Sequence, residues 1–534
     1  MNYLLIDIAF WASAVIVAVN TGMEYCRDLM MLQQNSYRSE RYRRWMSQSG
    51  DTTSAPRLLG MAVFLAALAT WSSTDWAIAM LMLFGVCNTI VLASAKYKKP
   101  LVWTKRVKRL ISVMAAISLV IIAAAVGAFG LGSMHSALFA AAVAAQGLYC
   151  ASHIVTLIAL WLLAPVERRI NHKFIDEARN ILRSMPELKI IGVTGSYGKT
   201  STKHYLQRIL SEKYDTLMTP GSFNTPLGVV RTIREHLKPY NEVFIVEMGA
   251  KNIGDIKEIC DIVHPVIGIV TAVGEQHLES FKTIENVQRT KFELIDALPA
   301  NGLAVVNDDF PFAANRKVSN VRTVRYAVRD TEGAQVIARD ITYGSHGTDF
   351  TIAGPDWGMR LHTKLVGECN ISNLMAAVIV ARNLGVPDEK IRIAVAHIEQ
   401  VEHRLNLKRT PGGITIIDDA FNSNPTGSAM ALDVLASMTG GQRIVITPGM
   451  IELGARQEEL NRAFGQKIAD CADIAIVVGQ YNREAILAGI TDGEMVEANV
   501  HAVDTFAEAQ ILLASLAGAG DTVLYENDLP DTFK

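Results

Sequence analysis

Five apolar stretches, roughly residues 3–19, 58–71, 76–95, 110–131 and 136–163, constrain this 534-residue chain more than any other feature. In hydrocarbon every backbone N–H and C=O must be bonded within its own segment, so stretches like these can only be helices. Crossing takes about 20 apolar residues. The second stretch is short for that on its own. It either borrows residues 72–75 or forms a re-entrant hairpin with the third, and both arrangements leave the flanking loops on one side. Half of the chain is apolar. The excess lies before residue 165, which marks a transmembrane domain at residues 1–165 joined to an ordinary soluble part.

Charge sets the orientation, because Lys and Arg near span ends stay cytoplasmic. Arg27, Arg38, Arg41, Arg43 and Arg44 follow the first stretch, and Lys96, Lys98, Lys99, Lys105, Arg106, Lys108 and Arg109 follow the third. The turns at 72–75 and 132–135 contain neither Lys nor Arg, while Arg168 and Arg169 follow the last stretch. Five spans of the cytoplasmic (inner) membrane are expected, with the amino terminus outside and everything beyond residue 165 in the cytoplasm. The first stretch has no basic flank, so a cleaved signal peptide does not fit. Asp7 is expected near the outer interface and His153 in an interhelical hydrogen bond.

A net charge of −2 gives no reason to expect a nucleic-acid partner. The six cysteines, Cys26, Cys87, Cys150, Cys260, Cys369 and Cys471, form no CxxC pair, which argues against a zinc ribbon or a disulfide framework.

From Pro186 onward, apolar β-rich runs alternate with helical patterns at the spacing of βαβ units, which predicts parallel sheets covered by helices. Strands are expected at 189–194, 243–247, 267–272, 304–307, 414–418, 444–447, 474–478 and 522–525. Near residues 400–404 a helical pattern stops and a fresh strand–helix series begins. The expected organisation is a cytoplasmic linker at 166–185, a phosphate-loop central domain with a mainly parallel sheet at 186–402, and a Rossmann-like α/β domain at 403–534.

The sharpest motif is Gly192-Val193-Thr194-Gly195-Ser196-Tyr197-Gly198-Lys199-Thr200-Ser201, between an expected strand and an expected helix. Gly195 and Gly198 let the backbone N–H groups of Gly195 to Ser201, Ser196 among them, approach phosphate oxygens. The helix amino terminus adds positive potential, Lys199 neutralises charge and Thr200 suits magnesium. Val193 stands where the usual form of the loop has its first glycine. Glu247 ends an expected strand, where a carboxylate reaches a magnesium ion bridging phosphates.

Thr194 to Ser201 resembles the ATP-binding loop of the Mur ligase family, and the resemblance continues to the carboxyl terminus. Glu247-Met248-Gly249-Ala250 followed by Gly254-Asp255-Ile256 is most similar to the branch that adds a terminal D-alanyl-D-alanine dipeptide to a muramoyl peptide. The resemblance implies ATP and magnesium as cofactors, with Thr200, Glu247, His277 and Lys291 on the metal. Lys291 would be carbamylated, and carbamate formation requires the neutral amine. Ser222, Asn224 and Thr225 would face the acceptor substrate, although turn chemistry explains Pro220 to Gly228 equally well. Asn370 would contact adenine, with Cys369 where histidine is usual and Asn373 capping or packing. Arg404 would reach the ATP phosphates when the last domain closes, Asp418 would hold the ribose, and Asn422 would face the incoming amine. Gly449 to Gly454 also matches, its glycines shaping a turn.

The implied chemistry is an ATP-dependent amide ligation. ATP phosphorylates a carboxylate, and an amine displaces phosphate from the acyl phosphate; Lys199, His277, Lys291 and Arg404 are the expected catalytic set. One departure is plain: where the family has a soluble uridine-nucleotide-binding domain, this chain has spans. The acceptor is therefore either a soluble nucleotide-linked muropeptide precursor or a lipid-linked one, the amine an amino acid or dipeptide, and membrane lipid a partner. A ligase for another envelope polymer such as poly-γ-glutamate would lack the third domain. A transporter component or ATP-binding membrane scaffold is the alternative of another class.

Overall fold

The computed structural model describes residues 3–70, 74–97, 99–329, 332–344, 347–420, 423–493 and 495–529. The chain divides into two compact units, Met1–Ile170 and Asn171–Asp528. The amino-terminal unit is helical: α1 (Tyr3–Gln34), α2 (Ser39–Gln48), α3 (Ala55–Ala69), α4 (Thr74–Ser94), α5 (Lys105–Phe129), α6 (Met134–Cys150) and α7 (Ser152–Arg183). Among the described residues, α1, α4 and α5 are each long and apolar enough to cross a membrane. Phe10, Val17, Ala67, Leu81 and Phe139 pack α1, α3, α4 and α6 together, whereas Leu83, Ile90, Leu119 and Val120 turn outward.

The stretch expected as one span at 136–163 is two helices, α6 and α7, bent by 77°. A helix end leaves carbonyls without partners, and Arg57 supplies one: its Nη1 donates to the Tyr149 carbonyl at 2.9 Å and to Ser152 Oγ at 2.8 Å. The other side of the guanidinium donates to Glu24 Oε1 at 2.6 Å and lies 3.6 Å from Asp51. His153, just past the bend, bridges Asp28 at 3.0 Å and Asp51 at 2.8 Å and meets the Tyr42 hydroxyl at 2.8 Å. Asp7 pairs with His135 at 2.5 Å. Residues 166–183, expected as a linker, continue helix α7.

The second unit holds two sheets. Its first nine strands are β1 (Lys189–Thr194), β2 (Thr216–Met218), β3 (Val243–Glu247), β4 (Ile267–Val270), β5 (Leu303–Asn307), β6 (Arg322–Ala327), β7 (Val336–Gly344), β8 (Gly347–Gly354) and β9 (Trp357–Thr363). They are ordered β2-β3-β1-β4-β5-β6-β7-β8-β9, parallel as far as β7 and antiparallel beyond it. The inner strands are buried on both faces, which is why they read as continuous apolar runs. Leu206 and Ile209 of α8 (Lys199–Leu210), with Leu374 and Val378, cover one face. Ile256, Ile259, Phe292 and Ile295 cover the other.

The second sheet is built from β10 (Asn406–Arg409), β11 (Thr415–Asp419), β12 (Arg443–Thr447), β13 (Ile474–Val478), β14 (Val500–Val503) and β15 (Thr522–Glu526). Its order is β10-β11-β15-β12-β13-β14, parallel except for β10 against β11. Both α/β halves thus have the expected mainly parallel sheets.

Arg57→Ala removes the cation from a buried carboxylate cluster, a class of change that costs about 3–5 kcal/mol. The expected result is a clear fall in the unfolding midpoint of the full chain in detergent, in a transition assigned to the helical unit by Trp fluorescence. An unchanged midpoint would show that the cluster does not hold the bend.

Candidate active site

Strand β1 lies between β3 and β4, with Val193 opposite Glu247 and Thr194 opposite Val270, so the carboxyl ends of the three open onto one edge. The turn leaving β1 requires glycine. At Gly195 (φ +154°) a Cβ would lie 2.1 Å from Thr271 Oγ1, and at Gly198 (φ +80°) 2.3 Å from Asn373 Oδ1. Asn373 also accepts from Thr202 Oγ1 at 3.1 Å, and so packs beneath the loop as expected. Helix α8 starts at Lys199 and aims its free N–H groups at the turn. Lys199 Nζ folds back onto the carbonyls of Gly195 and Ser196, at 2.6 and 3.2 Å. Ser196 Oγ is engaged with the backbone of Gly274, and Ser201 lies buried on α8.

Glu247, 1% exposed, is where the loop, a second strand and a third segment meet. Its Oε1 accepts from Thr200 Oγ1 at 3.2 Å and from Asn224 Nδ2 at 3.1 Å. Its Oε2 faces the ammonium of Lys203 at 3.0 Å. Burial alone would raise its proton affinity, but the charges of Lys203 and Lys199 and the Asn224 bond outweigh it and hold the carboxyl below its usual range. The sequence reading missed Lys203; its signal was position, four residues past Lys199 and so on the same face of α8. Two oxygen donors 3.2 Å apart are of the kind that magnesium takes, and the Lys203 ammonium beside Glu247 would have to give way to it.

Burial pushes Lys199 down to about 8; Glu247 opposes that shift and the positive charge of Arg404 adds to it. Lys291, 1% exposed on the helix Ile284–Asp296, is held well below the ordinary lysine range by burial and then by the charge of Lys199.

His277, in the left-handed region at φ +54°, donates from Nδ1 to Glu452, whose other oxygen takes Lys251 Nζ at 2.8 Å. Glu452 lies in the Gly449–Gly454 turn, so what the sequence reading took for turn geometry carries a side chain into the central domain. Arg456 pairs with Glu275 beside it. Burial pushes His277 down to about 4, with Glu452 pulling the other way. Glu452 itself is held low, because the His277 bond and the Lys251 charge exceed the effect of burial. Among the described residues no three His, Cys, Asp or Glu side chains converge as a preformed metal cluster.

On the nucleotide side, Asn370 Oδ1 accepts from the Tyr205 hydroxyl at 2.8 Å and its Nδ2 donates to the Val366 carbonyl at 2.8 Å. One amide N–H and one lone pair remain. Cys369 packs against the core of the carboxyl-terminal domain, and burial pushes its thiol up to about 12. Asp418 binds His403 at 2.9 Å and Lys408 at 2.8 Å. A cavity of about 720 Å³ brings Thr200, His204 and Ser222 together with His403 and Arg404. Thr225 caps the helix Pro226–Glu235. Asn422 lies outside the described residues.

Residues 193–381 match the Mur ligase middle domain and residues 403–525 the glutamate ligase domain of Mur ligases. The chain belongs to the Mur ligase family. It is 27% identical over 343 residues to the UDP-N-acetylmuramoyl-tripeptide–D-alanyl-D-alanine ligase of Bacillus subtilis, covering 63% of this chain and 72% of that one. Among solved structures, MurF from Acinetobacter baumannii superposes with a TM-score of 0.61 at 27% identity, over 67% of this chain and 77% of the other. MurF from Thermotoga maritima in complex with ADP gives 0.60 at 26%, over 67% and 80%. This Mur ligase spans 49% to 72% of the length of the curated relatives it matches. Residues 1–192 precede both family matches.

Two outcomes follow for this Mur ligase. Lys203→Met strands the buried Glu247 charge and is expected to cost about 3–5 kcal/mol of stability, read as a lower unfolding midpoint together with weaker nucleotide binding by calorimetry. Acid should weaken the contact between the two α/β domains. An unfolded histidine takes its proton near 6.5, whereas His277 waits until about 4, and Glu452 stays ionised below the unfolded glutamate range. The unfolded chain binds more protons in both cases, so stability falls as pH drops from about 6.5 toward 4. His277→Asn, which tolerates the left-handed backbone, should flatten that slope; an equally steep slope in the variant would contradict the assignment.

Proposed function

We propose that this chain is a membrane-anchored, ATP-dependent carboxylate–amine ligase that adds D-alanyl-D-alanine to a muramoyl-peptide precursor. The observation carrying this reading is the Thr200–Glu247 pair 3.2 Å apart at the phosphate loop, in a chain similar to proteins named UDP-N-acetylmuramoyl-tripeptide–D-alanyl-D-alanine ligase.

Lys199, the N–H groups from Gly195 to Ser201 and the start of α8 hold the ATP phosphates. Arg404 closes over them from the second domain, its charge already felt at Lys199. Thr200, Glu247, His277 and Lys291 are the proposed magnesium set; the ion, when bound, offsets charge on the transferred phosphoryl group. Burial and the charge of Lys199 lower the proton affinity of Lys291, which favours the neutral amine, the form that takes up carbon dioxide to become a carbamate. Asn370 takes the base and Asp418 the ribose. Ser222, Asn224 and Thr225 border the acceptor, and Asn422 the amine. The His277–Glu452–Lys251 contact keeps water from the acyl phosphate.

The amino-terminal helices anchor this site. The outward Leu83, Ile90, Leu119 and Val120 suit hydrocarbon, and the basic loops at 27–44 and 96–109 suit the cytoplasmic face. Five crossings, by α1, α3, α4, α5 and the bent pair of α6 with the start of α7, put the amino terminus outside and the ligase domains inside. That helices stand before residue 193, where neither family match reaches, also favours a lipid-linked acceptor as the second reading.

Full-length protein in detergent, with ATP, magnesium and D-alanyl-D-alanine, is expected to release ADP only when acceptor is added, and Lys199→Ala to lose about a hundredfold or more. Comparing nucleotide-linked with lipid-linked tripeptide separates the two acceptors; ADP release independent of both sinks the ligase reading. Alkaline phosphatase fused at residue 132 should be active and at residue 104 inactive, and the opposite pattern overturns the orientation.

A further inference from the structure

The carboxyl ends of β11 and β15 bring together two carboxylates that the phosphate chemistry leaves without a task. The strands run parallel with Asp419 opposite Glu526, in the inner part of the second sheet. Ligands of open α/β sheets sit just beyond such strand ends.

Glu526 is 1% exposed. Ser423 Oγ and Ser428 Oγ both donate to its Oε1, at 2.6 and 2.9 Å, while its Oε2 is buried with no hydrogen-bond partner. A carboxyl needed only to accept from two serines has no use for a second oxygen withheld from water, and an unmet acceptor there is costly. The link from this pair to the phosphate side runs through Arg404. Asp419 accepts the Leu405 N–H at 3.1 Å and feels the charge of Arg404, which in turn acts on Lys199. The Tyr197 side chain of the phosphate loop lies beside Thr426, two residues before Ser428 on the helix Pro425–Ala436.

We propose that Glu526 is the carboxylate that receives the ammonium group of the incoming amine and takes its proton. This rests on the ligase reading above. The ammonium R–NH3+ passes one proton to Glu526 Oε2 and becomes R–NH2. The amine nitrogen attacks the acyl phosphate carbonyl, the C–N bond forms, the C–O bond to phosphate breaks, and the nitrogen's second proton leaves with the phosphate. Burial, with the charge of Asp419 adding, pushes Glu526 up to about 8, close to the roughly 7.7–8.0 of an α-amino group, so the ionised carboxylate that accepts the proton forms as pH rises toward 8. Asp419 acts on Glu526 directly and is itself pushed up to about 6 by burial, against the pull of Arg404; Ser423 and Ser428 are the neutral neighbours on the facing helix.

The test uses full-length protein with ATP, magnesium and the muramoyl tripeptide acceptor, and two nucleophiles: D-alanyl-D-alanine, which arrives as an ammonium, and hydroxylamine, which is neutral at pH 7. Glu526→Gln is expected to cut amide formation by about a hundredfold while hydroxamate formation stays within a factor of about two. Glu526→Asp, which keeps a carboxylate, should form amide at a rate between the native protein and Glu526→Gln. Amide and hydroxamate rates that both survive in Glu526→Gln, or that fall together, overturn the proposal, as does a Glu526→Asp amide rate matching Glu526→Gln. Absence of hydroxamate in the native protein would instead overturn the ligase reading.

Discussion

The buried carboxylate of Glu247 is the interaction on which the site depends. It ends an inner strand, so its backbone is fixed by the sheet, and its side chain gathers Thr200 from the start of α8, Asn224 from the loop at 220–228 and Lys203 one helical turn beyond the loop lysine. A charge at 1% exposure is tolerable only because those partners surround it. The Lys203 ammonium already offsets that charge.

Much of this was legible in the sequence because the responsible residues lie in one short motif or at strand ends. Gly195 and Gly198 are glycines for steric reasons that any side chain would violate, and the inner strands are apolar throughout because both faces are covered. The strands β7, β8 and β9 escaped the reading since one of their faces is solvated and they pair antiparallel, outside the βαβ rhythm. Lys203 and Glu452 escaped for a different reason. Each acts through a partner distant in sequence, Glu452 on His277 across 175 positions; the four-residue spacing puts Lys203 on the face of Lys199 but does not say that Glu247 meets it, and nothing near Glu452 points to His277.

In the amino-terminal unit, hydropathy located the helices but not the bend between α6 and α7. A continuous apolar run says nothing about where a guanidinium from another helix will satisfy a carbonyl and make a break affordable. Arg57 does that at Tyr149, and its carboxylate partners then draw in His153. The polar cluster is thus the complement of the bend, set into an otherwise apolar bundle.

The contact between the two α/β domains has a consequence for how the ligase lets go. Any movement that parts the 452–456 turn from the segment 275–279 must separate Glu452 from His277 and from Lys251, and Arg456 from Glu275, in one event. Because one carboxylate serves both partners, closing again restores the two pairs together.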